Sequence, residues 1–447
     1  MALKVETNLS AAGTQEKKKV YQHFIRSLKD NGGLNSTNSF NDYDSGQISS
    51  VDGFSEVKAP DGTKLSEKLK AAGTPDATAA IQAISAALER SDDYKNAKKD
   101  FNTDLSNLND LLLAGKYSLG DAGSYLLEAK NTAVNPIQTQ QTLVRDNLSK
   151  LFDKDDFKTQ MKNSLGCDDS GLETLKNQMM DALKKTQDEK LSEFKKSLED
   201  NANQLFKKAE QEYWRLTFLG HRYSSNSQMR AEIDKLAAEA EKNNPNLSMH
   251  SGIKGSDRLK HIDPSKLQTH VTISGSTLQG SETGALSVQF NRWYNSDHSV
   301  YEKLTSIAEE LKSRGSDIIT YEINEADPKR AEEIAKKAVE AAMLAGFPPD
   351  KINIRVNNED RYKSNYDEKT KKYTVDDKLF NNPNDATRLN FAKSKYAKMA
   401  ETRERDLKGT NGTQLKAELK ELKEKAREAE AAAAAAASAP GGGLGAP

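Results

Sequence analysis

The sequence predicts a multi-domain, mostly α protein with a long-helix N-terminal body, a small α/β module and a helical C-terminal tail. Three observations lead to this fold class. The chain has 447 residues, which is long for a single hydrophobic core. Residues 172–219 contain neither glycine nor proline, which permits one very long helix. Short alternating apolar segments cluster between residues 268 and 358, where we expect the β-strands.

The predicted domains follow changes in composition along the chain. Hydrophobic residues make up 35% and charged residues 30% of the protein, a balance that suits long solvated helices around modest cores. The domains are, in order, a loosely ordered N-terminal region (1–63), a helical domain (64–245), the α/β module (265–360), a polar arm with a basic helix (361–412), and a helix with a flexible tail (413–447).

Composition and charge exclude several functional classes. Lys and Arg number 66 against 67 Asp and Glu, so the chain offers nucleic acid no general attraction and we expect no specific nucleic-acid partner. Cys167 is the single cysteine, which excludes an intrachain disulfide and a cysteine-based zinc site. The polar N-terminus and the lack of a long apolar run predict neither export by the general secretory route nor insertion in a membrane.

The helical domain is predicted to centre on residues 172–219, which would form a helix roughly 70 Å long. Its apolar residues recur at spacings of three and four, with a polar interruption near Thr186 and Gln187. Such a stripe needs a partner helix, which we expect from preceding helices of the same chain, with another protein as the alternative. Among those preceding helices, Asn135 and Pro136 predict the cap and first position of a new helix. The stripe consists of Leu172, Leu175, Met179, Leu183, Leu191, Phe194, Leu198, Ala202, Leu205 and Ala209.

The α/β module is predicted to have the element order β-β-α-β-α-β. Apolar and polar residues alternate in its strand segments, as in half-buried strands, and Asp297 and Asp327-Pro328 are typical helix starts. This order implies a sheet with parallel strand pairs joined by helical crossovers. The predicted strands are Val271–Ile273, Leu286–Phe290, Ile318–Ile323 and Ile352–Val356.

The chain becomes polar after Asn357. Lys369 to Val375 predicts a lone hairpin arm, and a basic helix follows near residues 388–408. This helix would either lie on an anionic membrane or acidic protein surface, or pack on the α/β module, which we favour. Residues 413–437 carry a heptad pattern too short for a solitary coiled coil. The candidate basic surface consists of Lys393, Lys395, Lys398, Arg403 and Arg405.

One histidine lies in a segment with a candidate catalytic motif. The segment His270-Val271-Thr272-Ile273 resembles one half of the paired motif of two-histidine phosphoesterases, in which two histidines face a phosphodiester as base and acid. The resemblance implies His270 and Thr272 as the first pair. The second pair is missing, since His298 is followed by Ser299-Val300. The favoured interpretation is that His270 and Thr272 form the solvated face of an edge strand. We predict no cofactor and no metal.

The C-terminal tail resembles the translocation signals of effectors secreted by Dot/Icm-type type IV systems. Such signals are flexible, rich in glutamate and small residues, and often carry a hydrophobic residue near the end. Here Leu444 is fourth from the end, and an alanine run precedes the terminal glycines. The glutamates lie further from the terminus than is usual in these signals. They are Glu418, Glu421, Glu424, Glu428 and Glu430.

We therefore expect a bacterial effector delivered into the host cytoplasm, soluble or peripheral at membranes. It would act by binding a host protein or a membrane surface, the latter through residues 388–408. A phosphoesterase-type hydrolase centred on His270 is one alternative, and a helical scaffold or oligomerising protein is another. The sequence leaves enzymatic activity and oligomeric state open.

Overall fold

The computed structural model describes residues 48–113, 117–242, 262–280, 286–288, 297–409 and 411–438. Contacts divide these residues into two units. The first unit contains the described residues up to Leu205 and those from Asn411 onward, and the second contains Phe206–Gly409. The predicted fold class is confirmed, because long helices dominate and a small mixed sheet lies in the second unit. In the described ranges, no helix is long and apolar enough to cross a membrane.

The secondary structure elements are numbered in chain order. The helices are α1 (Leu65–Ala72), α2 (Pro75–Ala87), α3 (Asp92–Leu113), α4 (Leu119–Phe152), α5 (Asp155–Leu165), α6 (Asp169–Ser225), α7 (Ser227–Lys242), α8 (Asp297–Ser313), α9 (Pro328–Leu344), α10 (Pro383–Leu407) and α11 (Gly412–Ser438). The strands are β1 (Gln279–Gly280), β2 (Leu286–Ser287), β3 (Ile319–Ile323), β4 (Ile352–Val356), β5 (Glu359–Asp367) and β6 (Lys372–Asp377).

Helix α4 begins with a capping box, in which two side chains accept hydrogen bonds from backbone N–H groups that lack a partner at a helix start. The Ser118 hydroxyl accepts from the Asp121 backbone N–H, and the Asp121 carboxylate accepts from Ser118 N in return. The helix then continues to Phe152 with Pro136 inside it. The predicted helix start at Asn135 is therefore wrong. A proline in a helix removes one hydrogen bond, and here Val134 and Ile137 on either side of Pro136 are buried, which holds both parts of the helix in place.

The long helix α6 belongs to the first unit as far as Leu205. Its early apolar residues, including Leu175 and Met179, join a core that contains Leu148 of α4 and Met161 of α5. Further along, the Phe194 ring lies 5.8 Å from the ring of Phe101 in α3. The apolar stripe up to Leu205 is thus buried inside its own chain, as expected.

The polar interruption of the α6 stripe also has a structural partner. Gln187 is buried, and its backbone oxygen accepts from the side-chain amide of Gln141 at 2.9 Å. The Gln187 amide donates to the Gln141 backbone oxygen at 3.4 Å. This reciprocal pair satisfies polar groups that would otherwise be buried without a partner.

The sheet of the second unit has the strand order β3-β4-β5-β6. Strands β3 and β4 are parallel and are linked through α9, whereas β5 and β6 add antiparallel strands beyond β4. Helices α8 and α9 pack together, and α9 contacts β3 and β4. Small side chains such as Ala338 and Ala342, both fully buried, allow this close packing.

The strand composition of this sheet differs from the predicted order. Val271 makes only an isolated bridge to Thr277, and β2 pairs with β1 in a separate two-stranded ribbon. Residues 289–290 of the second predicted strand lie outside the described residues. The segment Lys369 to Val375, predicted as a lone arm, lies instead in the hairpin that supplies β5 and β6. These strands are polar because much of their surface faces solvent, so they lack the apolar alternation of a strand packed on a core.

Candidate functional site

Helix α10 carries the candidate basic surface, and its start is well defined. The side chain of Asn382 accepts from the Asp385 backbone N–H at 3.0 Å, and Pro383 occupies the first helical position. Leu389 is buried in the core of the α/β module, with Ala392 and Tyr396 packed against that core. One side of α10 is therefore used to attach the helix to the module, as expected.

Ionic contacts add to this attachment. The ammonium of Lys336 on α9 donates to the Asp385 carboxylate at 2.8 Å. This hydrogen bond is the main reason why the pKa of Asp385 lies below its ordinary value. Arg388 pairs with Glu333 and Glu340 of α9. Together these contacts fix the first turns of α10 on α9.

Arg403 anchors the end of α10 rather than contributing to the outer surface. Its guanidinium lies 5.0 Å from the centre of the Trp214 ring and 3.4 Å from the Glu210 carboxylate. The sequence alone could not place it, because Trp214 and Glu210 lie almost two hundred positions earlier in the chain. Of the five predicted basic residues, Arg403 thus points inward.

The outer side of α10 carries an exposed aromatic residue among cations. Phe391 is 74% exposed. A helix turns by about 100° per residue, so residues 395, 398, 402 and 405 lie on the same side of α10 as Phe391. Among the described residues, Lys395 and Lys398 form no ion pair. We call this surface the Phe391 face, and it consists of Phe391, Lys395, Lys398, Thr402 and Arg405.

The other basic positions differ from this face. Lys393 is exposed, but its position lies roughly 160° around the helix from Phe391. Arg405 contacts the Asp406 carboxylate at 3.8 Å and remains mostly exposed. Phe391 itself was not among the predicted site residues. The available signal was a large apolar residue outside the stripe formed by Leu389, Ala392 and Tyr396.

His270 lies in a second polar cluster, next to helix α8. Its Nδ1 atom lies 2.6 Å from Oε1 of Glu310, which is buried and also accepts from Arg314 at 2.5 Å. The segment that carries His270 is held by a backbone bond from Leu278 N to His270 O. The Glu310 carboxylate orients the imidazole through Nδ1, and the Arg314 guanidinium lies 3.3 Å from the same atom. The sequence did not single out Glu310, which lies 40 positions from His270.

A buried arginine lies in the same region. Arg222 has no exposed surface, contacts Glu309 at 3.4 Å and donates to the Ser306 backbone oxygen at 3.2 Å. Burial lowers the pKa of the Arg222 guanidinium, and the charge of Glu309 opposes that shift. Arg222 and Arg314 thus each contact a glutamate, Glu309 and Glu310 respectively.

Thr272 has a structural position in a tight turn. Its side chain is fully buried, and its hydroxyl oxygen accepts from the Ser276 backbone N–H at 3.1 Å. The next polar residue, Ser274, donates its backbone N–H to Glu302 at 2.8 Å. His270 and Thr272 therefore do not present a shared, solvent-facing pair. Of the other histidines, His298 is exposed at the start of α8, and His250 and His261 lie outside the described residues.

The five tail glutamates lie on α11, which packs on α3 and α4. Glu418 accepts from the Tyr117 hydroxyl at 2.7 Å, and Glu430 pairs with Lys99 at 2.5 Å. Glu421, Glu424 and Glu428 are exposed, and Leu444 lies outside the described residues. The segment 413–437, where the sequence predicts a helix, thus lies in α11 and packs against the first unit.

The described ranges contain no group of His, Cys, Asp and Glu side chains arranged to hold a metal ion. Cys167 is half-buried, and burial raises the pKa of its thiol, which disfavours the reactive thiolate. No protein-family model, curated protein or solved structure matches the chain.

Proposed function

We propose that this chain is a binding protein that contacts an anionic membrane surface through the Phe391 face. The observation that carries the proposal is a phenylalanine with 74% of its surface exposed beside two lysines that have no ionic partner in the described chain. An isolated exposed apolar residue is common, but here it lies on the same helix side as three cations.

The geometry suits a helix that lies in the plane of a membrane interface. An interfacial helix inserts apolar or aromatic side chains and directs lysines toward lipid phosphates. Each cation near an anionic leaflet contributes about 1 kcal/mol, so Lys395, Lys398 and Arg405 together would contribute about 3 kcal/mol. This attraction weakens as salt rises, because the Debye length falls to about 3 Å at 1 M. The inner side of α10 would keep the helix attached to the protein during binding.

Vesicle co-sedimentation tests the proposal. The wild-type chain should bind vesicles of phosphatidylcholine with phosphatidylserine and should not bind phosphatidylcholine alone. Lys395→Glu with Lys398→Glu should weaken binding by roughly thirtyfold or more, since about 2 kcal/mol of attraction is lost before any repulsion is counted. A matched control is Lys329→Glu with Lys369→Glu, which makes the same charge change at exposed positions elsewhere in the second unit.

Phe391→Ser separates insertion from charge attraction. It should weaken vesicle binding without changing the net charge of the protein. If the wild-type chain fails to bind anionic vesicles at low salt, the membrane proposal is wrong. Binding to an acidic protein would then be the remaining interpretation of the Phe391 face.

We further propose that the chain is an effector delivered into host cells by a Dot/Icm-type system. The support is the resemblance of the tail, in which Leu444 follows the exposed glutamates Glu421, Glu424 and Glu428. Removal of residues 439–447 should reduce translocation in a reporter assay while leaving α11 in place. Replacement of the three exposed glutamates by lysine should have the same effect. Normal delivery of both variants would remove the basis for this proposal.

The contact between Glu310 and His270 supports a second candidate function, a hydrolase in which His270 Nε2 accepts a proton from water. Buried Thr272 would contribute only to the turn. If this proposal holds, His270→Ala should reduce hydrolysis of a phosphodiester by roughly a hundredfold, the scale of lost acid–base catalysis. Hydrolysis should be measured with cyclic and linear phosphodiesters. A wild-type chain without activity on either class would refute it.

A further inference from the structure

Helix α11 is held on the first unit by few buried side chains. Among the side chains of α11 that the structure describes, Leu415 and Leu419 are buried, with exposures of 0% and 2%. Leu422 and Lys423 are half-buried, and the positions from Glu424 to Ala435 are exposed. The apolar part of the docking site is therefore about one helical turn long.

The groove between α3 and α4 that receives α11 is acidic. Asp100 and Asp104 line it from α3, and Glu128 lines it from α4. Arg427 pairs with Asp100, Lys423 lies 2.8 Å from Asp104, and Lys416 pairs with Glu128. At the start of α11, the Asn411 backbone N–H donates to Asp121 at 3.0 Å. The main charge pattern is thus an acidic groove facing a basic helix edge, with the pair of Lys99 and Glu430 as the exception.

The contact between α11 and the groove selects a charge pattern, but another helix with the same pattern can replace α11. The pairs of Lys416 and Arg427 lie in solvent, where ion pairs contribute little and are screened by salt. The pair of Lys423 and Asp104 is more enclosed, with side-chain exposures of 22% and 16%. The last third of α11 is almost entirely alanine, the best helix former, so the segment can keep helical structure after leaving the groove.

We propose that the groove between α3 and α4 is a binding site for a basic amphipathic helix of a partner protein. Helix α11 is then a built-in ligand that occupies the groove until the partner displaces it. The partner helix carries two leucines four positions apart, as Leu415 and Leu419 are, followed by cations at the positions of Lys423 and Arg427. Charge complementarity with Asp100, Asp104 and Glu128 selects a basic helix over an acidic one. This site is separate from the Phe391 face and does not depend on the membrane proposal.

A labelled peptide with the sequence of residues 411–438 tests the proposal by fluorescence anisotropy. The full-length variant Leu415→Asp with Leu419→Asp has its own helix released, so it should bind the peptide. The wild-type chain should bind the peptide roughly a hundredfold more weakly, because the tethered helix competes at a high effective concentration. A peptide with Lys416→Glu, Lys423→Glu and Arg427→Glu should not bind either protein. Far-UV circular dichroism and thermal unfolding should show that the variant body remains folded.

Two results with the double leucine variant would overturn the proposal, and a third applies to its replacement. The first is equal peptide affinity for the wild type and for a folded variant. The second is a wild-type dimer, seen by light scattering and absent in the variant, which would assign the groove to a second copy of this chain. If the double leucine variant does not fold, Lys423→Glu with Arg427→Glu in the full chain replaces it. That variant should also show faster hydrogen exchange in α11 than the wild type, and unchanged exchange would equally count against the proposal.

Discussion

The turn after α9 offers a sharp test of the packing that positions α10. Gly346 has a φ of +91°, in the region that favours glycine. A Cβ atom on this residue would lie 2.0 Å from Cζ2 of Trp214, far inside normal contact distance. Trp214 is buried and carries the Arg403 guanidinium over its ring. Gly346→Ala should therefore displace the tryptophan that supports the end of α10.

The expected loss of stability has two parts. The backbone conformation costs a residue with a Cβ about 1–2 kcal/mol. Forcing a methyl group into a filled site costs about 1–3 kcal/mol more. Together Gly346→Ala should lower the free energy of unfolding by about 2–5 kcal/mol.

Gly315→Ala is the matched control, because Gly315 has a φ of +89° and its added Cβ would meet nothing closer than Gln211 at 3.9 Å. It should show the backbone cost alone, about 1–2 kcal/mol. Urea unfolding followed by far-UV circular dichroism measures both variants. A double-mutant cycle adds Trp214→Leu. In that background, Gly346→Ala should lower the free energy of unfolding only as much as Gly315→Ala does. Equal losses for the two glycine variants in the wild-type background would show that Gly346 and Trp214 are not in close contact.

The other predictions separate the roles of individual side chains. Leu198→Asp with Leu205→Asp should unfold the first unit, because losing each buried leucine costs about 2–5 kcal/mol of stability. A buried carboxylate destabilises the fold more than an empty cavity does. An unchanged melting temperature with loss of an oligomer would instead favour the scaffold hypothesis. Phe391→Ser should leave the melting temperature within about 1 °C, since the side chain is exposed, whereas Leu389→Ser should lower it by several degrees. Asp385→Asn should destabilise the second unit at neutral pH, because the folded-state pKa of Asp385 is lowered. That stabilisation is present above the ordinary carboxyl pKa of about 4 and is lost as the pH falls through the lower folded value, so the two proteins should converge in acid. A gap in unfolding free energy that persists at low pH would contradict this assignment.

Several features could be predicted because their signals are local in sequence. The long helix α6, the helices α8 and α9, and the strands β3 and β4 follow from apolar periodicity and from caps such as Asp327 with Pro328. These patterns reflect which side of each element is buried, and that property repeats every few residues. The Lys and Arg residues between 388 and 408 likewise indicated that α10 would be basic.

Other features depend on residues that are distant in the chain. Strands β5 and β6 join the sheet through backbone hydrogen bonds, which every residue but proline can donate. Their polar sequence therefore did not indicate that they would pair with β4. Pro136 stays inside α4 because the surrounding contacts outweigh one lost hydrogen bond.

The division between prediction and structure is clearest at the candidate sites. The sequence by itself determined that residues 388–408 form a basic helix, whereas the strand that it predicted at Val271–Ile273 is only an isolated bridge. Only the tertiary structure decided that Arg403 packs on Trp214, that Phe391 faces solvent, and that Glu310 lies against His270. It also placed α11 in an acidic groove of the first unit. The physical reason is that a side chain's direction and charge environment come from its neighbours in space, which one sequence does not identify.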